Sequence, residues 1–323
     1  MSIRIDERDK NHPDVGRIFQ PSNPLYASSL WLSFYADYPI NIYIIYNGND
    51  PVGGFYLHQT KKFGLKIITN PLFSPTNGFI LHDTKKPGFL KNDFLKEVHD
   101  AVSDFMIHEL NPHLLFTSFP AWVKNMQSYH WAGMSCRPYY TNVLDLNLCE
   151  DEILKRASNK VRKALVQSEK DFYFTSSAPK EILQEILEKT YRRNGKNYPI
   201  DIPRKMMFST NETNSFYFVA HRKSDDRAVA FAHCIHDGQT AYQLFNGYDN
   251  SLPSAQTVKA CFLLCIRESI RRGLKYFDFE GSMIPSVEKG IREFGGDSVP
   301  YFSVSYCKKI LKPFATLKFP DKF

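Results

Sequence analysis

Two hydrophobic rhythms alternate along the chain. Phe94, Leu95, Val98, Val102, Phe105 and Met106 recur at helical spacing and predict an amphipathic helix. Leu154, Ala157, Val161, Leu165 and Ser168 predict a second, and Ile182, Leu183, Ile186, Leu187 and Tyr191 a third. Val258 to Ile270 is apolar on nearly every side, which predicts a buried helix that Gly273 ends. A shorter helix is expected around Ala121 to Ser128. Strands are predicted between these helices. INIYIIYNGNDPVGGFYL reads as two strands around an Asn-Gly-Asn-Asp turn. SFYFVAHRKSDDRAVAFAHCIHDGQTAYQLFNGYD reads as three, with turns at Lys223–Asp226 and Asp237–Gly238. Strand, buried helix and strand then follow, the signature of a right-handed crossover onto a neighbouring parallel strand.

The pattern repeats. A shift of 163 positions lays HLLFTSFPAWVKNMQSYHWAG, from His113, on YFDFEGSMIPSVEKGIREFGG, from Tyr276. Each copy holds an aromatic-rich strand, a small-residue break, a short polar helix, an aromatic and a glycine. A further strand follows each: PYYTNVLDL in the first half, PYFSVSY in the second. Two similar α/β domains are expected, 1–148 and 149–323. Asp278 and Glu280 align with Leu115 and Thr117, so chemistry is expected in the second half. The first half is then a scaffold or acceptor-binding wall of the cleft.

Composition sets outer bounds. The 323 residues suffice for two ordinary domains, and 43% hydrophobic content argues against disorder. A net charge of +7 permits a polyanionic partner, RNA or an anionic membrane surface, without demanding one. The six cysteines form no C-x-x-C pair, which suggests a reducing compartment and no metal framework. MSIRIDERDK is too charged for a signal peptide, and no apolar run reaches the ~20 residues of a membrane span. The expected location is cytoplasmic, with peripheral attachment to the inner membrane face as a further option. The Lys- and Phe-rich tail KKILKPFATLKFPDKF suits an anionic surface or a mobile terminus.

HWAGMSCRPYYTNVLDLN, the basic helix with VRKALVQSEKD, the strand-turn NGYDNSLPSA, the helix ending RRGLKYFDFEG and the turn ending FGG together resemble the Fem-type peptidyltransferases, within the broader GNAT-fold acyltransferases. The likeness is most specific from Ala228 to Tyr301. It implies tandem GNAT-like domains of α/β (α+β) class, each a mixed twisted sheet flanked by helices. It also implies transfer of an acyl or aminoacyl group to an amine, from aminoacyl-tRNA or acyl-CoA as donor substrate, with no permanently bound cofactor. The implied acceptor is a cell-wall precursor, anionic or lipid-linked. The family turn F-K-x-x-F-G departs here: its Phe and Lys places hold Gly290 and Ile291, flanked by Lys289 and Arg292. SLPSAQTVK also lacks the glycine-rich pyrophosphate cradle of CoA-using relatives; Ser254 is a candidate cap and Pro253 shapes the turn. A CoA-dependent N-acyltransferase for a small amine or sugar amine, and a non-catalytic envelope-precursor binding protein, are the alternatives.

The residues suggest how such a transfer would run. The amine must attack uncharged, and the developing oxyanion needs donors. Asp278 and Glu280 alternate with Phe277 and Phe279, so strand periodicity puts both acids on one face, roughly 7 Å apart at ~3.3 Å per residue. They are the candidate proton acceptors, Glu280 foremost; the competing reading pairs them with Arg271, Arg272 or Lys275. Asn246 is a candidate donor to the acyl oxygen, or else a turn residue before Gly247. Tyr242 and Tyr248 share its strand and are candidate substrate contacts. Arg156, Lys160, Lys163 and Lys170, with Arg162 beside them, make either a solvated face or a phosphate-tracking surface for tRNA or a precursor pyrophosphate. The loop YRRNGKNYPI adds Arg192, Arg193 and Lys196. His233 and His236, three apart on a strand, fall on opposite faces and read as structural. No metal site and no covalent nucleophile are expected.

Overall fold

The computed structural model describes residues 2–82, 87–193, 195, 199–249, 255–281, 283–320 and 322. Strands are β1 (Ile3–Arg8), β2 (Asn41–Asn47), β3 (Asp50–Lys62), β4 (Leu65–Thr69), β5 (Ile80–Leu81), β6 (Leu114–Phe119), β7 (Ser135–Asp145), β8 (Phe172–Thr175), β9 (Ser215–Arg222), β10 (Ala228–His236), β11 (Thr240–Tyr248), β12 (Tyr276–Asp278) and β13 (Asp297–Cys307). Helices are α1 (Pro13–Ile18), α2 (Ser29–Ser33), α3 (Gly88–Asp104), α4 (Gln127–Trp131), α5 (Glu150–Arg156), α6 (Asn159–Ser168), α7 (Lys180–Arg193), α8 (Asp201–Ser209), α9 (Ala255–Arg271), α10 (Pro285–Arg292) and α11 (Lys312–Lys318).

The chain forms two compact units, residues 1–139 with 300–323, and residues 140–299. In the first the sheet order is β1-β2-β3-β4-β6-β13. β1 to β4 pair antiparallel in sequence, β4 and β6 pair parallel, and β13 closes the edge antiparallel to β6. The second unit repeats this plan as β8-β9-β10-β11-β12-β7, with its one parallel pair between β11 and β12 and β7 antiparallel to β12. In each, a long helix crosses between the parallel strands: α3 in the first, α9 in the second. Parallel neighbours require such a crossover.

The repeat read from the sequence is thus a repeat of topology, with one difference. The strand that completes each sheet comes from the other half of the sequence. Residues 300–307 of β13 complete the first unit, and residues 140–145 of β7 the second. The compact units therefore do not divide at 148/149.

Local chemistry explains most element ends. Gly48, at φ +63°, turns the β2–β3 hairpin. Gly273, at φ +72°, closes α9: its N–H reaches the Ile270 carbonyl, and the Leu274 N–H reaches Ser269. The stripe from Leu154 to Ser168 is split between two helices. Ser158 stands between them in extended backbone, its hydroxyl accepting the Val161 N–H at 3.3 Å and its own N–H donating to the Glu293 carbonyl at 2.8 Å. The short helix expected at 121–128 lies at Gln127–Trp131, where the Asn125 side chain accepts the Gln127 N–H at 2.9 Å.

Each unit has its own core. Phe94, Val98 and Val102 of α3, with Met106 in the π-helical turn Phe105–Glu109 that continues it, pack with Phe55, Leu115 and Val304 in the first. Cys261, Cys265 and Ile266 of α9 pack with Ala232, Phe277 and Phe279 in the second. Both cysteines act as small hydrophobes, and burial pushes their thiols well up. Among the described residues no helix is long and apolar enough to cross a membrane.

Candidate functional site

In the second unit β11 and β12 are joined over only three residue pairs, Thr240–Tyr242 with Tyr276–Asp278. β11 runs on to Tyr248, whereas the next N–H after β12, that of Phe279, bonds the Asn142 carbonyl of β7 at 3.0 Å. The two strands therefore part beyond Tyr242 and Asp278. Phe277 and Phe279 drive this course: both are buried, their rings 4.9 Å apart, and Phe279 packs on Phe294 and Phe262.

Asp278 stands at the point of parting. Its Oδ1 accepts the Glu280 N–H at 2.8 Å and the Thr141 hydroxyl. Burial pushes its carboxyl up to about 6, against the pull of those two donors. Arg271 and Arg272 both bind Glu268 instead, so the Asp278 charge is not cancelled by them. Glu280 is half-buried, with φ +64°. Strand alternation therefore stops before Glu280, and the same-face argument from period two does not hold there. A non-glycine residue in the left-handed region costs about 1–3 kcal/mol. The hydrogen bond from its N–H to Asp278 helps to fix it. Gly281 follows at φ +59°, and a Cβ there would lie 2.5 Å from the Tyr140 carbonyl oxygen. This close passage over β7 accounts for the small-residue break.

Tyr242 pairs with Asp278 across the two strands and is buried. Its hydroxyl donates to Asp237 Oδ2 at 2.9 Å. Burial pushes that hydroxyl well above its ordinary range, and the charges of Asp237, Asp278 and Glu280 add to this. One protonated phenol thus sits in the field of three carboxylates.

Asn246 is half-buried on β11, its amide 3.5 Å from the Gln243 Oε1. Arg193 stacks on Tyr248, its guanidinium 4.2 Å from the ring centre, and donates to the Tyr248 carbonyl at 3.0 Å. Arg162 and Lys163 lie on the exposed face of α6, where Arg162 bonds Asn159. Arg156 belongs to α5 and pairs with Asp297, so the expected basic row is broken at Ser158. Lys289 is exposed on α10, and Arg292 pairs with Glu288 on the same helix. Lys196, Pro253 and Ser254 lie outside the described residues. His233 and His236 do face opposite ways. His233 lies between the rings of Tyr217 and Phe245, and His236 lies against Phe216 and Arg272. Burial pulls the His233 imidazole down to about 3, so it is neutral.

Three residues were not anticipated. Thr141 holds Asp278, but only the pairing of β7 with β12 reveals it. Gln243 is buried on β11 with its Nε2 unpartnered, an available donor near the parting strands. Lys259 of α9 binds Glu293 at 2.5 Å, both half-buried, and this pair fixes the residue before Phe294-Gly295-Gly296. That turn is a packing device. A Cβ on Gly295 would meet the Arg156 carbonyl oxygen at 2.5 Å, and one on Gly296 would meet the Val143 carbonyl oxygen at 3.1 Å. Among the described residues no group of three or more His, Cys, Asp or Glu side chains could hold a metal ion.

Each unit has a parallel strand pair joined through a crossover helix and flanked by antiparallel strands, and in the second unit that pair parts; this is the layout of a tandem GNAT fold. Residues 156–287 match the family model described as an acetyltransferase (GNAT) domain. Solved structures share the whole layout at low identity. FemX is 10% identical, with a TM-score of 0.64, covering 97% of this chain and 99% of its own. A tandem GNAT protein from the clavulanic acid biosynthesis pathway is 8% identical, with a TM-score of 0.54 over 94% of this chain and 98% of its own. L-PGS from Bacillus licheniformis is 12% identical, with a TM-score of 0.55 over 88% and 89%. No curated protein matches in sequence. The resemblance to Fem-type and GNAT-fold proteins holds in fold, and the domain match falls within the second unit.

Proposed function

We propose that the protein transfers an aminoacyl or acyl group from an activated ester or thioester to an amine, with the chemistry at the parting of β11 and β12. The observation that carries this reading is the half-buried Asp278 carboxyl, raised to about 6 and fixed by Thr141 and the Glu280 N–H. A carboxylate of that strength is half-ionised near pH 6 and ionised at neutral pH, where it takes a proton from the acceptor's ammonium and leaves the neutral amine to attack. The amine nitrogen then bonds to the carbonyl carbon. Charge builds on the carbonyl oxygen, which the Asn246 and Gln243 amides serve as donors. The bond to the donor's oxygen or sulfur breaks, and that atom leaves with a proton. Glu280 and Tyr242 adjust the Asp278 environment, while Tyr248 and Arg193 hold the substrate.

Aminoacyl-tRNA is the favoured donor, because the tandem layout shared with FemX spans nearly the whole chain. The acceptor would then be a cell-wall precursor, anionic or lipid-linked, with the exposed Lys163 and Lys289 placed to meet phosphate, and Arg162 and Arg292 able to join them by leaving their Asn159 and Glu288 partners. Acyl-CoA is the second reading, favoured by the acetyltransferase domain match. The test is to incubate pure protein with charged tRNA or with acyl-CoA, each beside candidate amines, and to score which donor loses its acyl group. Loss from tRNA supports the first reading and loss from CoA the second. Loss from neither, with precursor binding retained, would leave a non-catalytic binding protein.

A further inference from the structure

We propose that the segment Lys308–Lys318 is a docking surface for an anionic lipid bilayer. Phe314 and Leu317, three apart, share one side of α11, and Ile310 lies in the 3-10 turn Lys309–Leu311 just before it. Ile310, Phe314 and Leu317 are 87%, 54% and 83% exposed, among the most exposed large apolar side chains of the described chain. The opposite side is anchored. Ala315 is fully buried, the Phe319 ring lies edge-on to Phe116 at 5.3 Å, and the Ser305 hydroxyl binds the Lys322 carbonyl. The apolar row therefore stands on a fixed platform within the first unit.

Charge selects the occupant. Lys308, Lys309, Lys312, Lys318 and Lys322 fall within fifteen residues that hold one acid, Asp321. Among the described residues Lys308, Lys309, Lys312 and Lys318 enter no ion pair, and the Lys318 ammonium lies 5.5 Å from the Phe314 ring centre. Lys309, Lys312, Pro313, Thr316 and Leu317 line a shallow groove beside the row. Apolar side chains flanked by unpaired lysines match a bilayer interface, where acyl chains take the first and anionic headgroups the second. A second copy of this chain would bring the same lysines together and is disfavoured by their repulsion.

The experiment is co-sedimentation of the whole protein with vesicles of phosphatidylcholine alone and of phosphatidylcholine mixed equally with phosphatidylglycerol. The expected result is partition onto the mixed vesicles only, weakened by added salt. Ile310→Asp with Leu317→Asp, and separately Lys309→Gln with Lys312→Gln and Lys318→Gln, should each lower the partition coefficient by about tenfold or more. All five positions are exposed, so an unchanged melting temperature checks folding. Three outcomes would overturn the proposal: no partition onto either vesicle, equal partition onto both, or partition that neither variant changes. A dimer that Leu317→Asp dissolves, without lipid binding, would assign the face to self-association instead.

Discussion

At the scale of single residues the account turns on Asp278. Unfolded, an aspartate titrates near 4. Folded, Asp278 keeps its proton up to about pH 6 because burial disfavours the charge. Between those values the native state binds more protons than the unfolded one, so stability falls as pH rises through that window. The contribution is fully present below about pH 4 and lost above about pH 6. A shift of this size is worth on the order of 2–3 kcal/mol. Urea unfolding of wild type from about pH 4 to about pH 7 should show this decline, and Asp278→Asn should lack it; parallel curves would refute the raised-carboxyl assignment. The acid pair itself was legible in the sequence, because Phe277 and Phe279 alternate with it. Its geometry was not. Glu280 turns into the left-handed region with its N–H on Asp278, just before Gly281 passes close over Tyr140, and the Thr141 hydroxyl arrives from a strand more than a hundred residues away.

At the scale of elements, periodicity and turn chemistry carried furthest. The β2–β3 hairpin, the three strands β9 to β11 and the buried helix ended by Gly273 follow from alternation, an Asn-Gly turn and a glycine stop. The break between α5 and α6 was hidden, because the apolar spacing continues through it while Ser158 turns aside to cap α6 and bind Glu293. The basic row lost its first member with that break. Two glycines distinguish a tight approach from a free turn. Gly281→Ala would combine left-handed strain with a Cβ 2.5 Å from a backbone oxygen, and is expected to cost about 2–4 kcal/mol. Gly48→Ala has the same strain but open space around it, and is expected to cost about 1 kcal/mol. Chemical denaturation of both variants checks the ordering; equal losses would mean that the approach to Tyr140 is unimportant.

At the scale of the whole molecule, the 163-residue repeat correctly announced two related units, but sequence adjacency assigned their last strands to the wrong partners. A repeat shows which strands are alike, whereas pairing depends on which edge each one reaches. Residues 140–299 hold β7, β12 and the Thr141–Asp278 contact together. Expressed alone, this segment should unfold cooperatively, while 149–323, which lacks β7, should be markedly less stable or unfolded by circular dichroism. The reverse order would show that the exchanged strands are dispensable. The central claim is that Asp278 accepts the amine's proton, and the most direct test is the pH profile of kcat/KM for acyl transfer with whichever donor proves competent. Wild type should rise through an ionisation near pH 6, and Asp278→Asn should lose about 10²-fold or more in rate together with that ionisation. A variant that keeps both full rate and the same profile would contradict the account.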